Sequence, residues 1–272
     1  MGDNSRHSIE SLIMSKVPCF FISHGAPMFV VEPDALSDYL TRLGTSLTGI
    51  NAVLVVSPHW QTRDLCVMET SQPSTIHDFS GFPDVLYTLQ YPAKGSPEYA
   101  NDLIQLMAEQ SLQVRADASR GLDHGAWVPL MYLFPKADVP VFQLSMPVHL
   151  NAESALQLGF ALRALRGSGV LILGSGGFTH NLYEIAPKHS TPEPYVKLFG
   201  DWMREAVIKR DFESLANYRQ LAPYATRAHP TDEHLLPLMV ALGASFDDEE
   251  LHIEHGDTYY GMLSMESYFW GI

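Results

Sequence analysis

The stretch VLVVSPHW at residues 53–60 decides the fold class, because four apolar residues are followed at once by Ser, Pro and His. A short apolar run that ends in a turn signal is typical of a buried strand. The stretch FFISHG at residues 20–25 repeats the pattern, again with a histidine directly after the apolar run. The two stretches therefore predict two buried strands, which end near His24 and His59.

Working outward from these two, similar runs predict strands at residues 17–22, 52–56, 65–69, 139–144 and 170–173. Apolar residues three and four apart, behind Pro, Asp or Asn, predict helices at 33–47, 97–112, 151–166, 194–208 and 232–242. This alternation favours an α/β fold, with a central mostly parallel or mixed sheet flanked by helices. We expect a mobile tail at residues 1–16 and a single catalytic domain at residues 17–272.

Composition narrows the class of partner and the compartment. The chain has 272 residues, of which 46% are hydrophobic, enough to bury one large core. Its formal net charge of −14 disfavours binding to a phosphate backbone, so we expect no nucleic acid partner. No apolar run reaches the roughly 18 residues that a membrane span needs, and residues 1–16 do not resemble a signal peptide. Only two cysteines are present, Cys19 and Cys66, and we expect a cytoplasmic protein.

Histidines are the unusual feature, with 12 of them against 17 Lys and Arg together. Ligands bind beyond the carboxyl ends of the strands in an open α/β sheet, so His24 and His59 are expected to face one cleft. The turn GSGGFTHN at residues 174–181 follows a further strand and brings His180 to the same end. Its glycines allow positive φ and close backbone approach.

Two more groups carry histidines at predicted helix starts. In LDHGAW, at residues 122–127, Asp123 is expected to cap a helix with His124 in its first turn. In HPTDEH, at residues 229–234, Thr231 is expected to cap a helix that holds His234 in its first turn. We expect either His229 or His234 to be a metal ligand.

Histidines from separate elements indicate a transition-metal site at the carboxyl ends of the strands. Neutral imidazole binds Fe, Zn, Cu and Ni, so the residue type does not specify which metal. A catalytic site keeps one coordination position open, and further histidines beside the ligands supply acid and base chemistry. The irregular segment at residues 71–94 is rich in Pro, Gly and aromatic residues, and we interpret it as a wall or lid of the pocket.

Six motifs together carry a resemblance to a known family. They are SHGAP (23–27), SPHW (57–60), LDHGAW (122–127), GSGGFTHN (174–181), HPTDEH (229–234) and SMESYFWG (264–271). In this order they resemble the LigB-type class III extradiol ring-cleavage dioxygenases, in the DOPA 4,5-dioxygenase-like branch. The resemblance covers the chain from residue 23 almost to its C-terminus.

The resemblance implies a role for each histidine. His24, His59 and His234 would be the metal ligands, His180 the catalytic acid or base, and His124 its partner. Ring-cleaving relatives typically use two histidines and a glutamate, so Glu233 remains the alternative third ligand. We also expect supporting or substrate-binding roles for further residues of the same motifs: His229, Ser23, Trp60 and Asp123.

The implied reaction inserts O2 into a catechol, with a DOPA-like or caffeate-like substrate and a ring-opened semialdehyde as product. Fe(II) is the expected functional metal, because zinc has no accessible redox change, although Zn(II) can occupy such a site. Two alternatives remain open. The same histidines could serve a zinc hydrolase, which needs no O2, or the fold could be a metal-free binding protein. An anaerobic assay and metal analysis separate these possibilities.

Overall fold

A mixed eight-stranded sheet organises residues 16–272, which are the residues that the computed structural model describes. Residues 1–15, most of the predicted tail, lie outside the described part. Within residues 16–272 there are ten strands, of which β8 and β9 form a separate pair. They are β1 (Cys19–Ser23), β2 (Ala52–Thr62), β3 (Cys66–Met68), β4 (Arg115–Asp117), β5 (Val141–Pro147), β6 (Val170–Gly176), β7 (Leu251–Glu254), β8 (Thr258–Tyr259), β9 (Leu263–Ser264) and β10 (Ser267–Trp270).

Helices flank this sheet, and side chains of the predicted type begin several of them. Asp34 and Asn151 each accept a hydrogen bond from the backbone three residues on, which satisfies an otherwise free N–H at the helix start. The α-helices of the described residues are α1 (Ala35–Ser46), α2 (Asp84–Thr88), α3 (Pro97–Glu109), α4 (His124–Leu133), α5 (Ala152–Gly167), α6 (Pro194–Ile208), α7 (Phe212–Ala216), α8 (Tyr218–Leu221), α9 (Ala225–Ala228) and α10 (Leu236–Ala244). No helix in this part of the chain combines the length and the apolar character that crossing a bilayer requires.

The spatial order of the sheet is β4-β3-β5-β2-β6-β1-β10-β7. Its centre, β5-β2-β6-β1, is parallel, while β10 and β7 are antiparallel to their neighbours. The predicted α/β class with a mostly parallel or mixed sheet is confirmed. Because β1, β2 and β6 are adjacent and parallel, their carboxyl ends meet at one edge.

Two predicted boundaries are wrong in ways that matter for the site. Strand β2 does not end at residue 56 but continues to Thr62, with a register shift against β5 between Val56 and Gln61. His59 therefore lies within this irregular part of the strand. Helix α10 begins at Leu236, four residues later than predicted, because Pro237 fits only the first turn of a helix. Thr231 is thus not its cap, and the Thr231 hydroxyl donates to Glu233 Oε1 instead, at 3.0 Å.

The segment at residues 71–94 is fastened to the start of α4. The amide of Ile76 donates to the Leu122 carbonyl at 2.7 Å, and the amide of Leu122 donates to the Ser74 carbonyl at 2.8 Å. The indole of Trp127 donates to the Ile76 carbonyl at 3.0 Å. These bonds hold the segment beside His124, the first residue of α4, and make it one side of the cleft.

Candidate active site

Five histidines from five separate elements line one cavity of about 400 Å³. His24 follows β1, His59 lies in β2 and His180 follows β6, while His124 begins α4 and His234 precedes α10. A volume of this size falls within the range of small-molecule pockets, about 300–1,000 Å³. The structure therefore brings together five of the six histidines that the motifs singled out, and His229 is the one that does not line the cavity.

Close backbone packing holds the turn after β6 against His234. A Cβ added to Gly176 would lie 2.2 Å from the His234 carbonyl oxygen, so only glycine fits there. The amide of Gly177 donates to that same carbonyl at 2.9 Å. None of the glycines at 174, 176 and 177 has a positive φ, and close backbone approach explains Gly174 and Gly176 but not Gly177.

The tautomer of His24 follows from its neighbours. His24 Nδ1 lies 2.9 Å from Ser175 Oγ, and the Ser175 hydroxyl donates its hydrogen to the Gly125 carbonyl. Because the only hydroxyl hydrogen is used in that bond, Ser175 Oγ accepts a hydrogen from His24 Nδ1. The lone pair of His24 is therefore on Nε2, the nitrogen that faces the other histidines.

Asp78 orients two further rings from the segment at residues 71–94. Its Oδ2 lies 3.0 Å from His124 Nδ1 and 3.3 Å from His59 Nδ1, and its Oδ1 accepts the His124 amide at 2.9 Å. A carboxylate at these distances favours the proton on Nδ1 of both rings, which leaves the lone pairs on Nε2. Burial raises the pKa of Asp78, but its hydrogen bonds with His124 outweigh this and lower the pKa to about 2. Asp78 is thus ionised at neutral pH.

His234 has the same arrangement with a different acceptor. Its Nδ1 lies 3.0 Å from Glu233 Oε1, so Glu233 contacts the outer nitrogen of the ring. Each of four cavity histidines therefore points Nδ1 at an oxygen and leaves Nε2 free. A hydrogen-bonded outer nitrogen is what metal-binding histidines have in proteins, because it fixes both the tautomer and the orientation of the ring.

The Nε2 atoms of His24 and His59 face each other at 3.2 Å. With the protons of both rings on Nδ1, neither Nε2 can donate, so two lone pairs are opposed. A cation between them would remove this repulsion, and two nitrogens bound to one ion at about 2.0–2.1 Å lie about 3.0–3.4 Å apart. The donor set and this spacing fit a transition metal.

Other distances divide the cavity histidines into two groups. Candidate ligand atoms of His24, His59 and His124 all lie within 4.8 Å of one another, and those of His180, Glu233 and His234 form a second such group. The ring of His234 also reaches the first group, with centroids 5.2 Å from His59 and 5.8 Å from His24.

Burial keeps the rings of His24, His59, His180 and His234 neutral. It is the largest cause that lowers the pKa of His59 and of His180 to about 4, from an ordinary value near 6.5. Burial, reinforced by neighbouring imidazoles, also holds the pKa of His24 and of His234 well below that value. Neutral imidazole can bind a metal or accept a proton, so the cavity is suited to both tasks at neutral pH.

Four other predicted residues do not line the cavity. Ser23 Oγ donates to the Glu266 carbonyl at 2.7 Å and accepts the Phe178 amide at 3.1 Å, which ties β1 to the turn after β6. The ring of Trp60 is buried and lies 5.1 Å from the Arg120 guanidinium.

Asp123 and His229 are fully buried behind the cavity. As predicted, Asp123 caps α4, accepting the Ala126 amide, and it also accepts hydrogen bonds from Ser57 at 2.8 Å and Arg120 at 2.8 Å. His229 Nε2 donates to the Phe178 carbonyl at 3.0 Å.

The sequence analysis missed Asp78 and part of the cavity wall. The interpretation of residues 71–94 as a wall is confirmed, because Phe79 and Phe82 line the cavity. Asp78 stands between His77 and Phe79 in an irregular segment, with no strand exit or helix start to mark it. Leu182, Ile185 and further apolar residues complete the lining: Tyr260, Met262 and Leu263.

Comparisons with known proteins agree over nearly the whole chain. The sequence model of the family described as the catalytic LigB subunit of aromatic ring-opening dioxygenase matches residues 18–270. The 4,5-DOPA dioxygenase extradiol of Beta vulgaris is 39% identical over 255 residues, covering 92% of this chain and 94% of the relative. That of Escherichia coli K12 is 36% identical over 265 residues, covering 95% and 97%. A crystal structure of an Escherichia coli K12 protein, 32% identical, has a TM-score of 0.78 and covers 93% of this chain and 99% of that one.

Proposed function

The chain belongs to the LigB family of aromatic ring-opening dioxygenases, and on that premise we propose that its histidine cavity binds a catechol for extradiol cleavage by O2. Both oxygen atoms enter the product, and the ring bond beside the two hydroxyl groups breaks to give a semialdehyde. The relatives named for 4,5-DOPA support DOPA-like or caffeate-like catechols as test substrates.

The opposed Nε2 atoms of His24 and His59, 3.2 Å apart, carry this proposal, because they fit a metal in the cavity. We assign His24, His59 and His234 as its ligands. When bound, Fe(II) supplies the electron transfer between catechol and O2 that zinc cannot supply, since zinc has no accessible redox change.

The remaining cavity residues bind the ring and move protons. His180 is neutral at neutral pH, since burial lowers its pKa to about 4, and so it can accept a proton from a catechol hydroxyl and return it later. We give His124 the same kind of role beside it, with Asp78 fixing its ring. Phe79 and Phe82 provide an aromatic wall for a planar substrate and exclude water from the reacting oxygens.

Oxygen uptake by the Fe(II)-reconstituted protein tests the proposal. Against a panel that includes DOPA, caffeate and 4-propylcatechol, we expect O2 consumption with a yellow semialdehyde product. The zinc-loaded protein and anaerobic samples should form none. Equal ring cleavage with zinc and iron would contradict the proposal. Substrate turnover without O2 would instead support a zinc hydrolase.

A further inference from the structure

We propose that the catechol carries an uncharged, apolar substituent, so that alkylcatechols are better substrates than DOPA or caffeate. This inference rests on the proposed function, because it concerns the part of the cavity that would hold the substituent.

The cavity wall contains no charged side chain. Beyond the five histidines its surface is almost entirely carbon, with Phe79, Phe82, Leu182, Ile185 and Met262 as the larger side chains. Tyr260 supplies a hydroxyl, but no Asp, Glu, Lys or Arg of residues 16–272 lines the cavity. A carboxylate or ammonium moved against such a wall would lose water without gaining a partner.

Two cations near the cavity are already paired with carboxylates. Arg227 donates to Glu184 at 2.8 Å and to Glu193 at 3.1 Å, and Glu184 belongs to the same short turn as Leu182. The Lys188 ammonium donates to Glu32. A substrate carboxylate that approached Arg227 or Lys188 would therefore meet the repulsion of a carboxylate that is already paired with the cation.

At the mouth of the cavity, the apolar wall continues to the protein surface. Leu182 and Ile185 line the cavity and yet are 57% and 59% exposed. Exposed apolar groups beside a pocket are typical of a binding surface for an apolar group. An alkyl substituent reaching from the ring toward solvent would cover these two side chains, whereas the charged end of an amino acid would not.

A matched substrate pair tests the inference. 4-Propylcatechol and 3-(3,4-dihydroxyphenyl)propionate carry three-carbon substituents that differ in the terminal group, methyl against carboxylate. We expect kcat/KM to be at least about tenfold higher for 4-propylcatechol, because the carboxylate must be desolvated without a partner, and DOPA to be poorer still. Equal or higher kcat/KM for the carboxylate or for DOPA would overturn the inference and leave the proposed function intact. Failure of every catechol would overturn both.

A positive charge placed at the mouth of the cavity tests where the substituent of the catechol lies. Leu182→Arg should raise kcat/KM for the propionate relative to 4-propylcatechol by about tenfold, since it supplies the missing partner. Leu182 is exposed, so the variant should fold. Tyr183→Arg is the control, because Tyr183 is 90% exposed on the same turn and does not line the cavity. Tyr183→Arg should leave the ratio unchanged. An equal shift in both variants, or no shift in Leu182→Arg, would contradict the placement of the substituent.

Discussion

The imidazole rings of His180 and His234 are stacked, with centroids 3.5 Å apart and planes 6° from parallel. The ring of His180 therefore lies on the face of the proposed ligand. This arrangement suits the proton-transferring role that we propose for His180 beside the metal. The amide of His180 donates to the Ala228 carbonyl at 2.9 Å, and the stack on His234 orients its ring.

We expect His180→Ala to retain metal and to lose turnover by about 10²–10⁴, the usual contribution of a positioned acid or base. His59→Ala should lose both, since metal binding depends on ligand number and geometry. Metal content measured beside turnover decides the matter, with the exposed His149→Ala as a control. A metal-free His180→Ala protein would make His180 a ligand.

The third ligand can be determined by comparing two variants. Because we assign His234 to the metal and His124 to proton transfer, His234→Ala should be metal-free after dialysis, whereas His124→Ala should keep its metal and turn over slowly. The reverse result would make His124 the third metal ligand. Its candidate ligand nitrogen lies within 4.8 Å of those of His24 and His59.

Asp78→Asn should weaken metal binding without unfolding the protein. Asp78 faces Nδ1 of both His59 and His124, and an amide orients two imidazoles less well than a carboxylate. Loss of such a supporting group typically costs about 10–100-fold in metal affinity, measurable by competition with a chelator. Asp84→Asn, at an exposed position of the same segment, is the control and should bind metal normally. Equal affinity in the two variants would rule out an orienting role for Asp78.

The central strands could be predicted from sequence because β1, β6 and the first seven residues of β2 are buried, so their apolar runs are continuous. The strands that we did not predict, β4, β7, β8, β9 and β10, have two to four residues each. Runs this short carry little periodicity, and pairing with a neighbouring strand decides their conformation.

The site shows the same contrast between residues marked by local sequence patterns and residues placed by tertiary contacts. All five cavity histidines come after an apolar run or near a helix start, where local sequence signals exist. Asp78 reaches the site only because residues 74–76 pair with Leu122, a contact between segments far apart in sequence. Tyr260 lies beside the cavity with a φ of 55°, held by hydrogen bonds to Ala186 and Lys188. Such tertiary contacts leave no local pattern in the sequence.

The last prediction concerns the acid stability of the metal-free protein. His229 is fully buried, and burial is the largest cause that lowers its pKa to about 4. Because the folded pKa lies below the unfolded value near 6.5, its contribution to stability is complete above pH 6.5 and is lost as pH falls toward 4. The shift corresponds to about 3 kcal/mol. His229→Gln keeps an N–H donor for the Phe178 carbonyl but does not titrate. We therefore expect the wild type, relative to this variant, to lose about 3 kcal/mol of unfolding free energy between pH 7 and pH 4, measured by urea denaturation with chelator present. The other buried histidines are present in both proteins, so most of their contribution cancels in the difference, and a constant difference across this range would show that His229 does not contribute.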